Sequence, residues 1–148
     1  KLNEEEIVAV LAHEVGHYKR KHIIYNLIAS TVTTGFTLWL FSLFVDSTTL
    51  SESLGVAISS FHVGLVAFGL LYSPISTVTG IVMSSLSRKF EFEADAYARD
   101  TYEGEPLIGA LKKLNKTSLS NLTPHPAYVF FNYSHPTLYQ RMMAMRGN

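Results

Sequence analysis

From Ile23 to Val45 the chain runs 23 residues without a charged side chain or a histidine, and from Ser53 to Leu86 another 34 residues carry no formal charge. A helix needs roughly 20 such residues to cross the hydrocarbon of a bilayer. The alternative, buried core helices of a soluble protein, is disfavoured by that length. The first tract is interrupted by Asn26, Thr31, Thr33, Thr34, Gly35 and Thr37. Small and hydroxylated residues of this kind are common where membrane helices meet or line a cavity. At ~1.5 Å per residue the second tract is longer than one ~30 Å crossing requires. Pro74 is expected to divide it, because proline removes a helix hydrogen bond and clashes with the preceding turn. The expected elements are therefore spans over residues 23–45 and 54–72, then a helix over residues 75–101. His62 falls inside the second span and reads as a histidine hydrogen-bonded within the bundle, in preference to a functional group. Asp46 to Ser53 reads as a short polar loop.

Composition supports this division. Only 16% of the 148 residues are charged, against a usual ~25%. The formal net charge is 0, so no nucleic-acid partner is expected. Cysteine is absent, which excludes disulfides and thiolate metal sites. No signal peptide is visible at the start. The chain opens on an acidic helical stretch, and the expectation is a portion of a longer protein.

That opening stretch carries the chemistry. Asn3 followed by Glu4, Glu5 and Glu6 has the pattern of a helix start, with Asn3 as cap and Glu6 as the capping-box acid. Ile7, Val8, Val10, Leu11 and Val15 supply an apolar face, and the helix is expected to run to about His22. Near its middle lies His13-Glu14-Val15-Gly16-His17. Residues four apart share a helix face, so the two imidazoles can hold one metal ion while Glu14 points at a metal-bound water. This is the HExxH arrangement of zinc proteases.

A catalytic zinc commonly takes three protein ligands and keeps one position open. The metzincin position for a third histidine is held here by Ile23, which excludes that class. Glu91-Phe92-Glu93-Ala94-Asp95 offers the other common solution, a glutamate from a separate helix. Glu91 and Asp95 share a face, so Glu91 can bind the metal while Asp95 accepts the N–H of a liganding histidine, His13. Glu93 lies about 200° round the helix from Glu91 and is expected to face away. With two crossings, the chain returns to the side it left and the two helices can meet. Lys19 to Lys21, Arg88 and Lys89 flank that side and only Asp46 and Glu52 the other, which puts the motifs on the cytoplasmic face. Asn115, Asn121 and Asn132 match the glycosylation pattern but would not be used on that face.

Residues 105–148 are expected to hold a helix from Glu105-Pro106 to about Thr117, with Leu107, Ile108, Leu111 and Leu114 as its apolar stripe. Ser118 to Ser134 is expected to be irregular. Its aromatic residues Tyr128, Phe130, Phe131 and Tyr133 are read as local core packing, and the last helix starts at Pro136.

Three segments, HEVGHYKRKH (13–22), SRKFEFEADAYA (87–98) and YSHPTLYQRM (133–142), occur in order and resemble the C-terminal catalytic portion of the CAAX prenyl protease 1 family. The resemblance covers nearly the whole chain. It implies an all-α, membrane-embedded helical bundle with one zinc ion between the HExxH and ExxxD helices and a transmembrane hairpin joining them. It further implies that His13, His17 and Glu91 bind zinc, that Glu14 is the catalytic acid and base, and that Asp95 orients a ligand. His135 and Arg141, in the SHPxxxxR pattern, match family residues thought to contact substrate or the developing oxyanion. The implied activity is removal of the C-terminal tripeptide from prenylated CAAX proteins, at the endoplasmic reticulum or a bacterial inner membrane, in contact with lipid. The heat-shock membrane protease HtpX has a related plan, and a quality-control protease of that kind is one alternative. A zinc-binding membrane scaffold without catalysis is another.

Overall fold

The computed structural model describes residues 1–119 and 121–147, and every regular element among them is helical. The order is α1 (Glu4–Lys19), α2 (His22–Phe44), α3 (Thr48–Ser53), α4 (Phe61–Thr101), α5 (Gly104–Ser118), α6 (Pro126–Asn132) and α7 (Leu138–Arg146). The chain forms two compact units, Lys1–Ile24 with Ile81–Asn148 and Tyr25–Gly80, and α4 contributes its two halves to the two units.

The first unit begins with a capping box. Asn3 Oδ1 accepts from the Glu6 amide and the Glu6 carboxylate accepts from the Asn3 amide, both at 2.8 Å. The residues buried on α1 are Glu6, Ala9, His13 and Gly16. Of the expected apolar face, Val10 packs against the core, whereas Ile7, Val8, Leu11 and Val15 are exposed. Small side chains let neighbouring helices approach closely, which large ones would prevent. Ala9 packs with Ala98, Leu107, Ile108 and Met145 into the core of this unit, with Leu111 and Met142 against it. Leu114, expected in the same stripe of α5, is exposed. Glu6 is held by Lys113 Nζ at 2.7 Å. The α1 helix stops at Lys19, three residues short of the expected His22, and Lys21 turns the chain with a φ of 59°.

The segment expected to be irregular contains α6. Pro126 occupies the first turn and His125 Nδ1 accepts from the Ala127 amide at 3.2 Å, so a proline start and a side-chain cap suffice for a short helix. Its Val129 is buried, while Tyr128, Phe130 and Phe131 are about half-exposed rather than core. The α7 helix starts after Thr137, which forms a capping box with Gln140.

In the second unit, α2 and the first half of α4 run against each other. Thr37 and Tyr72 share a hydroxyl hydrogen bond, and the Phe41 ring meets the Phe61 and Phe68 rings edge-on. Gly64 sits where any Cβ would strike the Val45 carbonyl. The polar loop is in part α3, capped by Ser47, and α4 starts at Phe61 rather than near Leu54. His62 bonds locally to Ser60 Oγ at 3.1 Å on an exposed face.

Pro74 does not divide the helix, which runs on through it. Proline cannot donate to the carbonyl four residues back, but Ser73 Oγ donates to that Leu70 carbonyl at 3.1 Å. Hydroxyl side chains resupply freed backbone groups in this way in membrane helices. Both α2 and α4 are long and apolar enough to cross a membrane. Leu27, Leu38, Trp39, Leu70 and Val78 lie more than half exposed along them, as lipid-facing side chains do.

Candidate metal centre

The site lies wholly within the first unit. The α1 helix turns His13 and His17 toward α4, and α4 turns Glu91 and Asp95 toward α1, each pair being four residues apart on one face. Gly16, between the two histidines, makes the approach possible. A Cβ there would lie 3.1 Å from both the Cα and the carbonyl oxygen of Ala94. The sequence carries a signal for this in Gly16 itself, since a glycine inside a helical pattern costs stability and usually has a packing reason. Gly16→Val is expected to force α1 off α4, costing about 1–3 kcal/mol by overpacking. The check is a lower Tm together with weakened metal retention.

Three donor groups converge between the helices. His13 Nε2 lies 3.2 Å from His17 Nε2. Glu91 Oε1 lies 3.5 Å from His17 Nε2, and Glu91 Oε2 lies 3.7 Å from His13 Nε2. Metal–donor bonds of ~2.0–2.1 Å in a tetrahedron place neighbouring donors about 3.3 Å apart. Two imidazoles and a carboxylate at this spacing fit zinc in kind and in size. His13 and Glu91 are buried, His17 partly so.

The surroundings favour a cation. His13 Nδ1 lies 3.0 Å from Asp95 Oδ1, off the hydrogen-bond axis, and has no other partner. A carboxylate there puts the ring proton on Nδ1 and leaves the Nε2 lone pair facing the centre. Arg141, from α7, forks onto Asp95 with Nε at 2.8 Å and Nη2 at 2.6 Å, and its Nη1 lies 3.2 Å from Glu91 Oε2. Burial pushes the Asp95 carboxyl up, but the hydrogen bonds from Arg141, with the His13 ring close by, outweigh it and hold the group below its ordinary value. Burial also lowers the His17 imidazole, with His13 beside it adding to the effect, so the neutral ligand form is favoured. Two buried carboxylates against one guanidinium leave negative charge in excess, which a divalent cation answers.

His135, in the turn before α7, reaches the rim of the centre. Its Nδ1 lies 3.2 Å from Glu91 Oε1 while its side chain is 65% exposed. Glu14 is exposed beside the histidines and raises the proton affinity of His17. An open cavity of about 790 Å³ adjoins His135 and Arg141, with Asn115, Asn132, Ser134 and Leu138 in its walls. The guanidinium expected to face substrate is engaged by the two carboxylates. Glu93, expected to face away, contacts His22.

The chain is 37% identical over 145 residues to a CAAX prenyl protease 1 homolog of Arabidopsis thaliana, covering 98% of this chain and 34% of the relative. It is 35% identical over 144 residues to the CAAX prenyl protease 1 homolog of Homo sapiens, covering 96% of this chain and 30% of the relative. The crystal structure of S. mikatae Ste24p superposes with a TM-score of 0.82 at 33% identity, covering 97% of this chain and 36% of that one. The chain thus spans about a third of the length of the proteins it matches. The model of peptidase family M48 matches residues 1–148 from end to end, and the chain belongs to that family.

Proposed function

We propose that this chain carries the catalytic zinc centre of an integral-membrane metalloprotease that removes the C-terminal tripeptide from prenylated CAAX proteins. The observation that carries the proposal is the convergence of His13, His17 and Glu91 at tetrahedral spacing, with Glu14 next in the chain to one ligand. The substrate class rests on the names of the relatives.

His13, His17 and Glu91 would hold the ion, with Asp95 fixing the His13 tautomer. The chemistry a zinc ion supplies when bound is acidification of water and polarisation of the scissile carbonyl. Glu14 takes the proton from the attacking water and passes it to the leaving amine. His135 has Nδ1 against Glu91, and as the imidazolium, with a hydrogen on each ring nitrogen, it donates from Nε2 to the oxyanion. The adjoining cavity leaves room for a peptide beside His135. The basic residues Lys19, Arg20, Lys21, Arg88 and Lys89 support a cytoplasmic orientation of the centre. A lipid-bearing substrate suits a site attached to apolar spans.

The test compares a farnesylated CAAX peptide with its unmodified twin, using the full-length protein in detergent or vesicles. The expected result is tripeptide release from the farnesylated peptide, with little from the twin. Equal cleavage of the two would point to a protease that ignores the prenyl group, and zinc binding without cleavage of either would point to a scaffold.

A further inference from the structure

A fourth imidazole stands against the centre, behind His17, and the mechanism above does not use it. His22, the first residue of α2, is 2% exposed. Its ring lies flat on Phe90, with centroids 4.2 Å apart and planes 11° apart. Its Nδ1 lies 2.9 Å from His17 Nδ1, and its Nε2 lies 3.1 Å from Glu93 Oε2. On its solvent side Glu93 has Lys89, whose Nζ lies 3.8 Å from Oε1 and whose side chain is largely exposed.

The carboxylate decides where the protons sit. A carboxylate only accepts, so at this contact His22 Nε2 carries the proton and donates it to Glu93 Oε2. A neutral His22 then has its lone pair on Nδ1, so His17 must donate from its own Nδ1–H. That leaves the lone pair of His17 on Nε2, the nitrogen 3.5 Å from Glu91 Oε1. We infer that Glu93 and His22 form a relay that holds His17 in the tautomer and ring orientation a metal needs. The relay rests on the metal centre proposed above. His22 and Glu93 are positioning residues, since neither reaches the donor set itself.

The arrangement is parallel to that of His13. Asp95 meets His13 Nδ1 directly, whereas His17 has an imidazole inserted between it and its carboxylate. One stretch of α4 therefore supplies the third donor, Glu91, and the anchors for both histidines, Asp95 and Glu93. Phe90 gives His22 the flat surface that sets its ring plane. The partners that orient ligating histidines commonly contribute about 10–100-fold in metal affinity.

The test uses the full-length protein and four variants. His22→Phe keeps the aromatic surface on Phe90 and removes both hydrogen bonds. His22→Gln keeps an acceptor for His17 and a donor for Glu93. Glu93→Leu removes the terminal anchor, and Lys89→Ala controls for surface charge. Zinc affinity is read by competition with a chromophoric chelator, and the His17 tautomer by its 15N shifts in the metal-free protein. Affinity is expected to fall about 10–100-fold in His22→Phe and Glu93→Leu, to recover substantially in His22→Gln, and to stay unchanged in Lys89→Ala. His17 is expected to be protonated on Nδ1 in the parent and to become a tautomeric mixture in His22→Phe. Parental affinity and tautomer in His22→Phe would overturn the relay, as would equal losses in His22→Phe and His22→Gln. The tautomer readout needs no ion, so it decides the relay even where the parent fails to bind zinc, an outcome that would instead remove the metal centre.

Discussion

Replacing Glu14 by glutamine is expected to lower kcat about 10²–10⁴-fold while leaving bound metal and Tm at parental values. Glutamine matches the shape of glutamate but cannot take a proton from water. The three donor atoms belong to His13, His17 and Glu91, so the ion keeps all of its protein ligands in the variant. Glu14 is exposed on α1, outside the buried stripe of Glu6, Ala9, His13 and Gly16, so packing is not disturbed. The measurements are single-turnover cleavage of a farnesylated peptide, metal content after gel filtration, and thermal unfolding. Full activity would remove Glu14 as the general base. Loss of metal along with activity would mean that the side chain supports the site rather than the chemistry.

The convergence of the two motifs could be anticipated because it depends on one number, the four-residue spacing that puts two side chains on one helix face. Glu91 and Asp95 obey it as well as His13 and His17. The same periodicity does not pick the inner face of α1, where Ile7, Val8, Leu11 and Val15 are exposed, Val10 is only partly buried and the buried stripe is small or polar. Apolar stripes mark the inside of a helix surrounded by water, whereas here close helix approach at Gly16 and Ala9 selects for size. Pro74 departs from expectation for a different reason. The propensity is real, but a neighbouring hydroxyl, Ser73 Oγ on the Leu70 carbonyl, resupplies the missing bond. The short helices α3 and α6 depend on single caps, from Ser47 and His125, and have too few turns to show a period. Glu93 shows the limit of reasoning on one helix. Its angle from Glu91 follows from helix geometry, but its partner arrives from outside, through a turn at Lys21 that adopts a left-handed conformation uncommon for lysine.

Arg141→Met is expected to cost about 3–5 kcal/mol, because removing one member of a buried ion cluster leaves the remaining charge uncompensated. The guanidinium and the Asp95 carboxylate are 11% and 1% exposed, so little solvent reaches the pair. Methionine has similar bulk and makes none of the three contacts to Asp95 and Glu91. Arg141→Lys is expected to be nearly as damaging, since an ammonium cannot fork across two carboxylates. The pH dependence gives a sharper readout. In the parent the folded Asp95 is held below its unfolded value of ~3.9. Its contribution to stability is therefore complete above that value and disappears as the pH falls through the lower folded pKa. Without Arg141, burial is opposed by His13 alone, and the folded carboxyl is expected to rise above its unfolded value. The sign then reverses: the variant is weakest at neutral pH and regains stability, relative to the parent, on mild acidification. Thermal unfolding of parent and variant between pH 4 and 7, with metal removed from both by a chelator, measures this difference. A variant with parental Tm at every pH and defective only in cleavage would return Arg141 to the role of a substrate contact.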